Sequence, residues 1–380
     1  MRQSIKSAIA SPPLVLTLDA GGTNFVFSAV KNGEVVGETL TLPSNGDELD
    51  ACLDQITGGL QELHNRTGRE ATAISIGFPG PADYKLGIIG ECNNLPAFRG
   101  DGVALGPMLE HHFDLPVFIR NDADLFAYGE ALAGALPETN KALEESGSTL
   151  RYKNLLGITL GTGLGAGMVT NGKLHEGDNS AAAEIWALRS KLHRDSPVEA
   201  DVSIRALRRV YAEIARMPVE EAPEPEMLAA IAKHEAKGHN AAARESYRRF
   251  GEALGDAIAN VLTLFDGLVV LGGGISAAHE LFMPAVMQEL NAQYQPREGT
   301  RAPRTVIKAF NLQDETDRRS LLAHKTRDIA VPQSNKTITY DPMKRTGIAI
   351  SKLGTGRAVA IGAYEVAINE MNARSAKVEK

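Results

Sequence analysis

The sequence predicts an α/β protein of two domains, each a βββαβαβα unit, with the ligand expected in a cleft between them. Three observations lead there. One pattern is written twice, about 140 residues apart: an apolar strand, a Gly-rich loop with a hydroxyl residue, a second apolar strand, then Asn-Gly. After the first copy, strand-like and helix-like apolar spacing alternate, and the second copy is followed by long helical spacings that lead into a buried strand. With 380 residues and 43% hydrophobic content the chain can bury two cores, since domains mostly run about 100 to 200 residues. The expected division is a smaller N-terminal domain, 1–120 plus 358–380, and a larger C-terminal domain, 121–357.

Taken in order, LVLTLDAGGTNFVFSAVKNGEVV opens a meander over residues 14–40, with Asp19, Gly21, Gly22, Thr23 and Asn24 at its first loop and Asn32-Gly33 at its second turn. Helical spacing through Leu49, Leu53, Ile56, Leu60 and Leu63 predicts a helix over 47–66. ATAISIGFPGPAD reads as a buried strand running into a Pro/Gly turn, followed by a loop with Asn93, Asn94 and Leu95 and a helix near 103–113. The strand LPVFIRNDAD then leads into the helix LFAYGEALAGAL, and the polar ETNKALEESGSTLRY is expected to be a surface excursion.

The second copy, LLGITLGTGLGAGMVTNGKLHEG, carries Gly161, Thr162, Gly163 and Gly165, then Asn171-Gly172. A dinucleotide-binding loop would have to open a helix, whereas Asn-Gly is a two-residue hairpin signal that turns the chain back as a strand. Helices are expected around 199–215, 224–237 and 240–264, then the strand GLVVLGGGIS, and a closing helix at GRAVAIGAYEVAINEM.

Glycines let each loop's backbone come close to a ligand, and a turn of exposed N–H groups attracts phosphate oxygens. Two such loops suggest two phosphate-holding hairpins for one nucleotide. Asp122, where a strand ends and a helix begins, is placed to act as a general base or to serve as the helix N-cap, a role that Asn121 and Asp124 could also fill. Asp19, beside Gly21-Gly22, could hold Mg²⁺ through water or simply open the turn. Gly272, Gly273 and Gly274 end an apolar strand and could lie flat against a nucleotide or form only a turn.

The formal net charge of −7 and pI near 5.8 argue against nucleic acid held by a basic face. Two cysteines, Cys52 and Cys92, are too few for a disulfide framework, and no run of about 18 apolar residues would span a membrane. The expectation is a cytoplasmic protein with neither nucleic acid nor membrane as partner.

The ordered segments DAGGTN, GFPGP, NNLPAF, IRNDADLFAYGE, LGTGLGAGMVTNGKLHEG, VVLGGGIS and LGTGRAVAIGAYEVA resemble the ROK family (repressor, open reading frame, kinase) over about residues 14–370, with 305–345 poorly matched. That resemblance implies the actin-like ATPase (ribonuclease H-like) fold and a glucokinase-like enzyme moving the γ-phosphate of ATP, with Mg²⁺, to a hexose hydroxyl. Glucose is the default acceptor, and an N-acetylhexosamine or other hexose the runner-up. It further implies Asp122 as base, Asn94, Asn121, Asp122, Glu184 and Glu199 as sugar ligands, and Gly21, Gly22, Thr23, Asn24, Gly161, Thr162, Gly163, Gly273 and Gly274 around ATP. Asp19 is the metal-linked acid, and a homodimer is the expected assembly.

Departures from the family pattern matter equally. Members usually follow the first sugar glutamate with Ile-Gly-His and a Cys-rich loop that binds structural zinc; this chain has Glu184-Ile185-Trp186-Ala187 and no cysteine before Glu199, so no zinc is expected. His193 reads as solvent-facing, and Trp186 could stack on a sugar or simply pack. In residues 305–345 the alternation in KTITY and TGIAI suggests added strands, and the many cations read as a solvated face or as a contact for an anionic ligand or another subunit. A low-turnover sugar-sensing protein is the alternative to an enzyme. The 13 residues before Leu14 are too few for the winged helix of the family's repressors.

Overall fold

A computed structural model describes residues 12–90, 92, 95–295, 297–324 and 326–378. Its contacts divide the chain into two units, 1–132 with 178–180 and 356–380, and 133–177 with 181–355. The division thus falls after Leu132 and not at residue 120: the helix that begins at Asp122 packs with the first unit.

The first unit opens with β1 (Leu14–Ala20), β2 (Asn24–Lys31) and β3 (Glu34–Pro43), an antiparallel meander. Its Asn32-Gly33 turn has φ of 56° and 75°, the left-handed pair that a two-residue hairpin demands and that Asn-Gly tolerates best. Then come α1 (Leu49–Arg66), β4 (Ala71–Gly77), the short pair β5 (Ala82–Asp83) and β6 (Ile88–Ile89), α2 (Leu105–Phe113), β7 (Val117–Arg120) and α3 (Asp122–Ala133). The sheet runs β3-β2-β1-β4-β7, with β1, β4 and β7 parallel. Alternate apolar residues of β1 and β2 meet one face of α1, where Cys52, Ile56, Leu60 and Leu63 are buried. Each large side chain so buried contributes about 1.5–3 kcal/mol.

In the second unit, α4 (Ala135–Glu145) precedes a second meander, β8 (Leu155–Leu160), β9 (Leu164–Thr170) and β10 (Lys173–Leu174). Asn171 and Gly172 repeat the turn geometry, with φ of 51° and 75°. Of the polar segment 138–152 expected to be a surface excursion, residues 138–145 belong to α4 and only the remainder is irregular. Leu136, Thr139 and Leu143 are the buried line of α4, at three- and four-residue spacing, and the rest of its surface is solvated.

After α5 (Ile204–Ala215), α6 (Pro225–Ala232) and α7 (Asn240–Leu264) come β11 (Leu268–Gly272) and α8 (His279–Leu290). A small hairpin follows, β12 (Gln293–Tyr294) and β13 (Ala302–Pro303), then β14 (Lys308–Asn311), α9 (Glu315–Leu322), the hairpin β15 (Arg327–Ala330) and β16 (Thr337–Tyr340), and β17 (Arg345–Ile350). The sheet order β10-β9-β8-β11-β17-β14 repeats that of the first sheet and adds one edge strand. The poorly matched segment supplies that edge strand and α9. The chain closes with α10 (Thr355–Val378), which from Gly356 onward packs in the first unit. There Gly129 and Gly362 let α3 and α10 touch: a Cβ at Gly129 would lie 2.0 Å from the Ala358 carbonyl oxygen, and one at Gly362 2.1 Å from that of Leu125.

Among the described residues no helix is long and apolar enough to cross a membrane.

Candidate active site

Two carboxylates converge at the C-terminal ends of the parallel strands in the first unit. Asp19 pairs in register with Gly77 of β4, and Gly77 pairs with Arg120, the last residue of β7. A Cβ on Gly77 would sit 3.0 Å from Val359 Cγ1, 3.3 Å from Leu125 Cδ1 and 3.4 Å from the Asp122 Cα, so glycine lets the start of α3 lie close against the end of β4. Asp19 is half-buried and no hydrogen-bond donor reaches its carboxylate among the described residues. Burial, and then the nearby charge of Asp122, push its pKa from 3.8 up to about 7. A desolvated carboxylate facing a second one, with no donor, is a setting that a cation would relieve.

Asn121, not Asp122, caps α3. The Asn121 Oδ1 accepts from the amides of Ala123 at 2.9 Å and Asp124 at 3.3 Å. Asp122 takes the first helical position, where its Oδ1 accepts from Ala123 at 2.9 Å and its charge lies at the positive end of the helix. The Asn121 amide donates to the Tyr84 hydroxyl at 3.2 Å, which donates in turn to the Phe78 carbonyl at 3.1 Å. Arg120, itself buried, donates to Glu370 of α10 at 2.7 Å and fixes the strand end on which both residues ride. Tyr84 is a site neighbour that sequence reasoning missed, because nothing local to it marks a hydrogen bond across 37 positions.

Beside these acids the β1–β2 loop is Gly21-Gly22-Thr23. Ser44 holds its carbonyls, donating from Oγ to Gly22 O at 2.7 Å and from its amide to Thr23 O at 2.9 Å. The loop's own amides find no acceptor among the described residues and point to no strand partner, the arrangement that binds anions. A Cβ on Gly21 would meet the Asn24 carbonyl oxygen at 2.8 Å, so the tight turn requires glycine.

The second unit builds the equivalent loop between β8 and β9. Gly161 donates to Gly163 O at 3.1 Å and accepts from Ile204 at 3.0 Å, while the amides of Thr162 and Gly163 have no acceptor among the described residues. Gly272 of β11 pairs with Thr159, bringing Gly273 and Gly274 alongside. Gly273 has φ of 83°, and a Cβ there would lie 2.3 Å from the Leu160 carbonyl oxygen. Its amide donates to Thr355 Oγ1 at 3.1 Å, whereas nothing lies within 4 Å of the space a Cβ on Gly274 would take. Thr355 was also missed, although it stands in the glycine motif LGTGRAV.

Glu199 reaches this loop. Its Oε2 accepts from the Leu164 amide at 3.0 Å and its Oε1 from Arg205 at 3.2 Å, while a Cβ on Gly163 would sit 2.6 Å from Oε2. Glu184 is exposed and accepts from the indole N–H of Trp186, itself 42% exposed, so the tryptophan neither fills the core nor lies apart from the acid. His193 faces solvent as expected, and its Nδ1 lies 2.8 Å from buried Asp201, which also accepts from Ser190 and from Arg209 at 2.7 Å. This polar knot ties together the loop on which Glu184 and Glu199 lie. Asn94 lies outside the described residues.

A family model described as the ROK family matches residues 15–318. The chain is 31% identical over 278 residues to the N-acetyl-D-glucosamine kinase of Photobacterium profundum, covering 68% of this chain and 83% of that protein. It is similar in structure to the glucokinase of Parabacteroides distasonis, with a TM-score of 0.82, 45% identity, and 94% of this chain and 98% of that one covered. A ROK family glucokinase from Streptomyces griseus, solved with glucose and AMPPNP, shares the fold at a TM-score of 0.60 and 21% identity, over 93% of this chain and 98% of that one. With the repeated βββαβαβα units, the paired glycine loops and these matches in hand, the chain belongs to the ROK family and has its actin-like ATPase fold.

Proposed function

We propose that the chain is an ATP-dependent sugar kinase in which Asp122 is the general base for transfer of the γ-phosphate to a hexose hydroxyl. The observation that carries this is the pairing of Asp122 with Asp19 across the bare backbone of Gly77, beside a loop of unpaired amides. Asp122 is released from capping by Asn121 and is held at a rigid strand-to-helix junction. As the acceptor oxygen attacks phosphorus, its proton passes to the Asp122 carboxylate and the bond to the ADP oxygen breaks. Positioning and charge neutralisation supply most of the rate in such a reaction.

The amides of Gly21, Gly22 and Thr23, with those of Thr162 and Gly163, would hold phosphate oxygens. Asn24 would support the first loop, and Gly273 and Gly274 would lie along the nucleoside. Asp19 is the residue that would hold magnesium, which when bound with the nucleotide neutralises phosphate charge. Asn94, Asn121, Asp122, Glu184 and Glu199 would bind the sugar. Asn121 has its Oδ1 occupied by the helix amides, so it would use its amide N–H; Glu184 would share its carboxylate with Trp186. Likeness to a glucokinase at 45% identity favours glucose as acceptor, and an N-acetylhexosamine comes next. Assembly as a homodimer is carried over from the family and is checked by light scattering.

A coupled assay of ADP release over a panel of hexoses with ATP and magnesium tests the reading. We expect sugar-dependent turnover with glucose or N-acetylglucosamine. ADP release that no sugar stimulates would overturn it and favour a sugar-sensing role.

A further inference from the structure

The second unit contains a cavity of about 450 Å³, within the size range of sites for small organic ligands, that the kinase reading does not use. It opens at the C-terminal ends of β14 and β17, between α4 and α9. Ligands of open α/β sheets bind outside that end of parallel strands. Leu321 and Ala349, both buried, and Ile350 give it an apolar floor.

Its charged lining is lopsided. Lys141, Arg318 and Lys352 stand against one carboxylate, Glu138, on a chain whose net charge is −7. Lys352 pairs with Glu138, but Arg318 is only 3.6 Å from Glu315 and Lys141 3.9 Å from Glu145, both loose contacts between exposed groups. A surplus of cations over an apolar floor suits an anion with an apolar body.

Two further facts give the cavity meaning. One wall, Leu312 with α9, comes from the segment 305–345, where the sequence follows the family's motifs poorly. Both neighbouring chain connections between units leave from its lining as well: Ala133 and Gly134 are the first residues of the second unit, and Leu353 comes just before the return at Gly356. Gly354, between them, has φ of 77°, a conformation that fixes this connection and resists substitution.

We infer that this cavity is an effector site for a small anion with an apolar or aromatic body, and that its occupancy changes turnover through the segments 133–134 and 353–355. The effect on turnover rests on the kinase reading; the binding does not.

The test uses the full chain and the anionic aromatic probe 8-anilinonaphthalene-1-sulfonate, whose fluorescence rises in apolar surroundings. Saturable binding is expected, at least about tenfold weaker in Arg318→Glu and lost in Ala142→Trp, which fills the cavity, but unchanged in Arg244→Glu on α7. Thermal melts of each variant confirm folding, and Arg318→Glu, a surface change, keeps the test valid if Ala142→Trp does not fold. Competition by glucose 6-phosphate against competition by benzoate separates phosphorylated from carboxylate effectors. Probe affinity that Arg318→Glu leaves unchanged, or displacement of the probe by ATP, overturns the site. Probe that binds there yet leaves the kcat and KM of sugar-dependent ADP release unaltered overturns the effector role alone.

Discussion

Replacing Asp19 with asparagine is predicted to stabilise the metal-free protein while removing its activity. Burial and the charge of Asp122 hold the Asp19 pKa at about 7 against 3.8 in the unfolded chain. The folded state therefore holds the proton more tightly. The stability this provides is fully present below pH 4 and is lost as pH rises through 7. A shift of about 3 units corresponds to about 4 kcal/mol, and because Asp19 is only half-buried, screening halves this to about 2 kcal/mol. Asparagine keeps the shape and does not ionise. Urea unfolding of both proteins without magnesium, from pH 4 to pH 9, should show Asp19→Asn ahead by about 2 kcal/mol above pH 7, with the gap closing toward pH 4. Groups that do not interact with Asp19 titrate alike in both proteins and cancel in the difference. A variant less stable than wild type at pH 8, or a gap that ignores pH, would refute the picture of Asp19 as a donor-less carboxylate awaiting a cation.

Glu184→Gln and Glu199→Gln should each weaken sugar binding at least about tenfold while leaving ATP affinity within about threefold, measured by calorimetry; losing a charge-assisted hydrogen bond accounts for that scale. Sugar affinity untouched by both changes would mean that the pocket is built from other groups. Gly129→Ala should destabilise the protein by about 1–3 kcal/mol or more in urea, because its Cβ would overlap the Ala358 carbonyl oxygen and force α3 from α10. Incubation with EDTA should leave the melting temperature unchanged and elemental analysis should find less than about 0.1 zinc per chain, since structural zinc contributes directly to folding and the sequence has Trp186-Ala187 and no cysteine where the family carries its zinc ligands.

The frame of the fold was legible because its signals are local. Asn32-Gly33 and Asn171-Gly172 set two hairpins by themselves, and the spacing from Leu49 to Leu63 marked α1. Elements whose burial depends on one thin line of residues were missed. α4 hides only Ala135, Leu136, Thr139 and Leu143 beneath a polar surface, and α9 buries Leu321 alone. At the site, the residue types could be picked out but not their division of labour. Asn121 and Asp122 are both good caps in sequence, and only the observed bonds assign the cap to Asn121. The closeness of Asp19 and Asp122 depends on strand order, since β4 brings Gly77 between them from elsewhere in the chain. Trp186 against Glu184 and His193 against Asp201 depend on the path of a loop with no periodicity to read.

Transfer of labelled γ-phosphate from ATP to its best hexose by wild type and by Asp122→Asn tests the central claim most directly. Asn121 caps α3, so the substitution should leave the fold and ATP affinity nearly intact. Labelled sugar phosphate should form with the wild type and at least about a hundredfold more slowly with the variant, the usual scale for losing a general base. Near-normal transfer by a folded Asp122→Asn protein would contradict the assignment of the base, and no labelled sugar from the wild type would contradict the kinase itself.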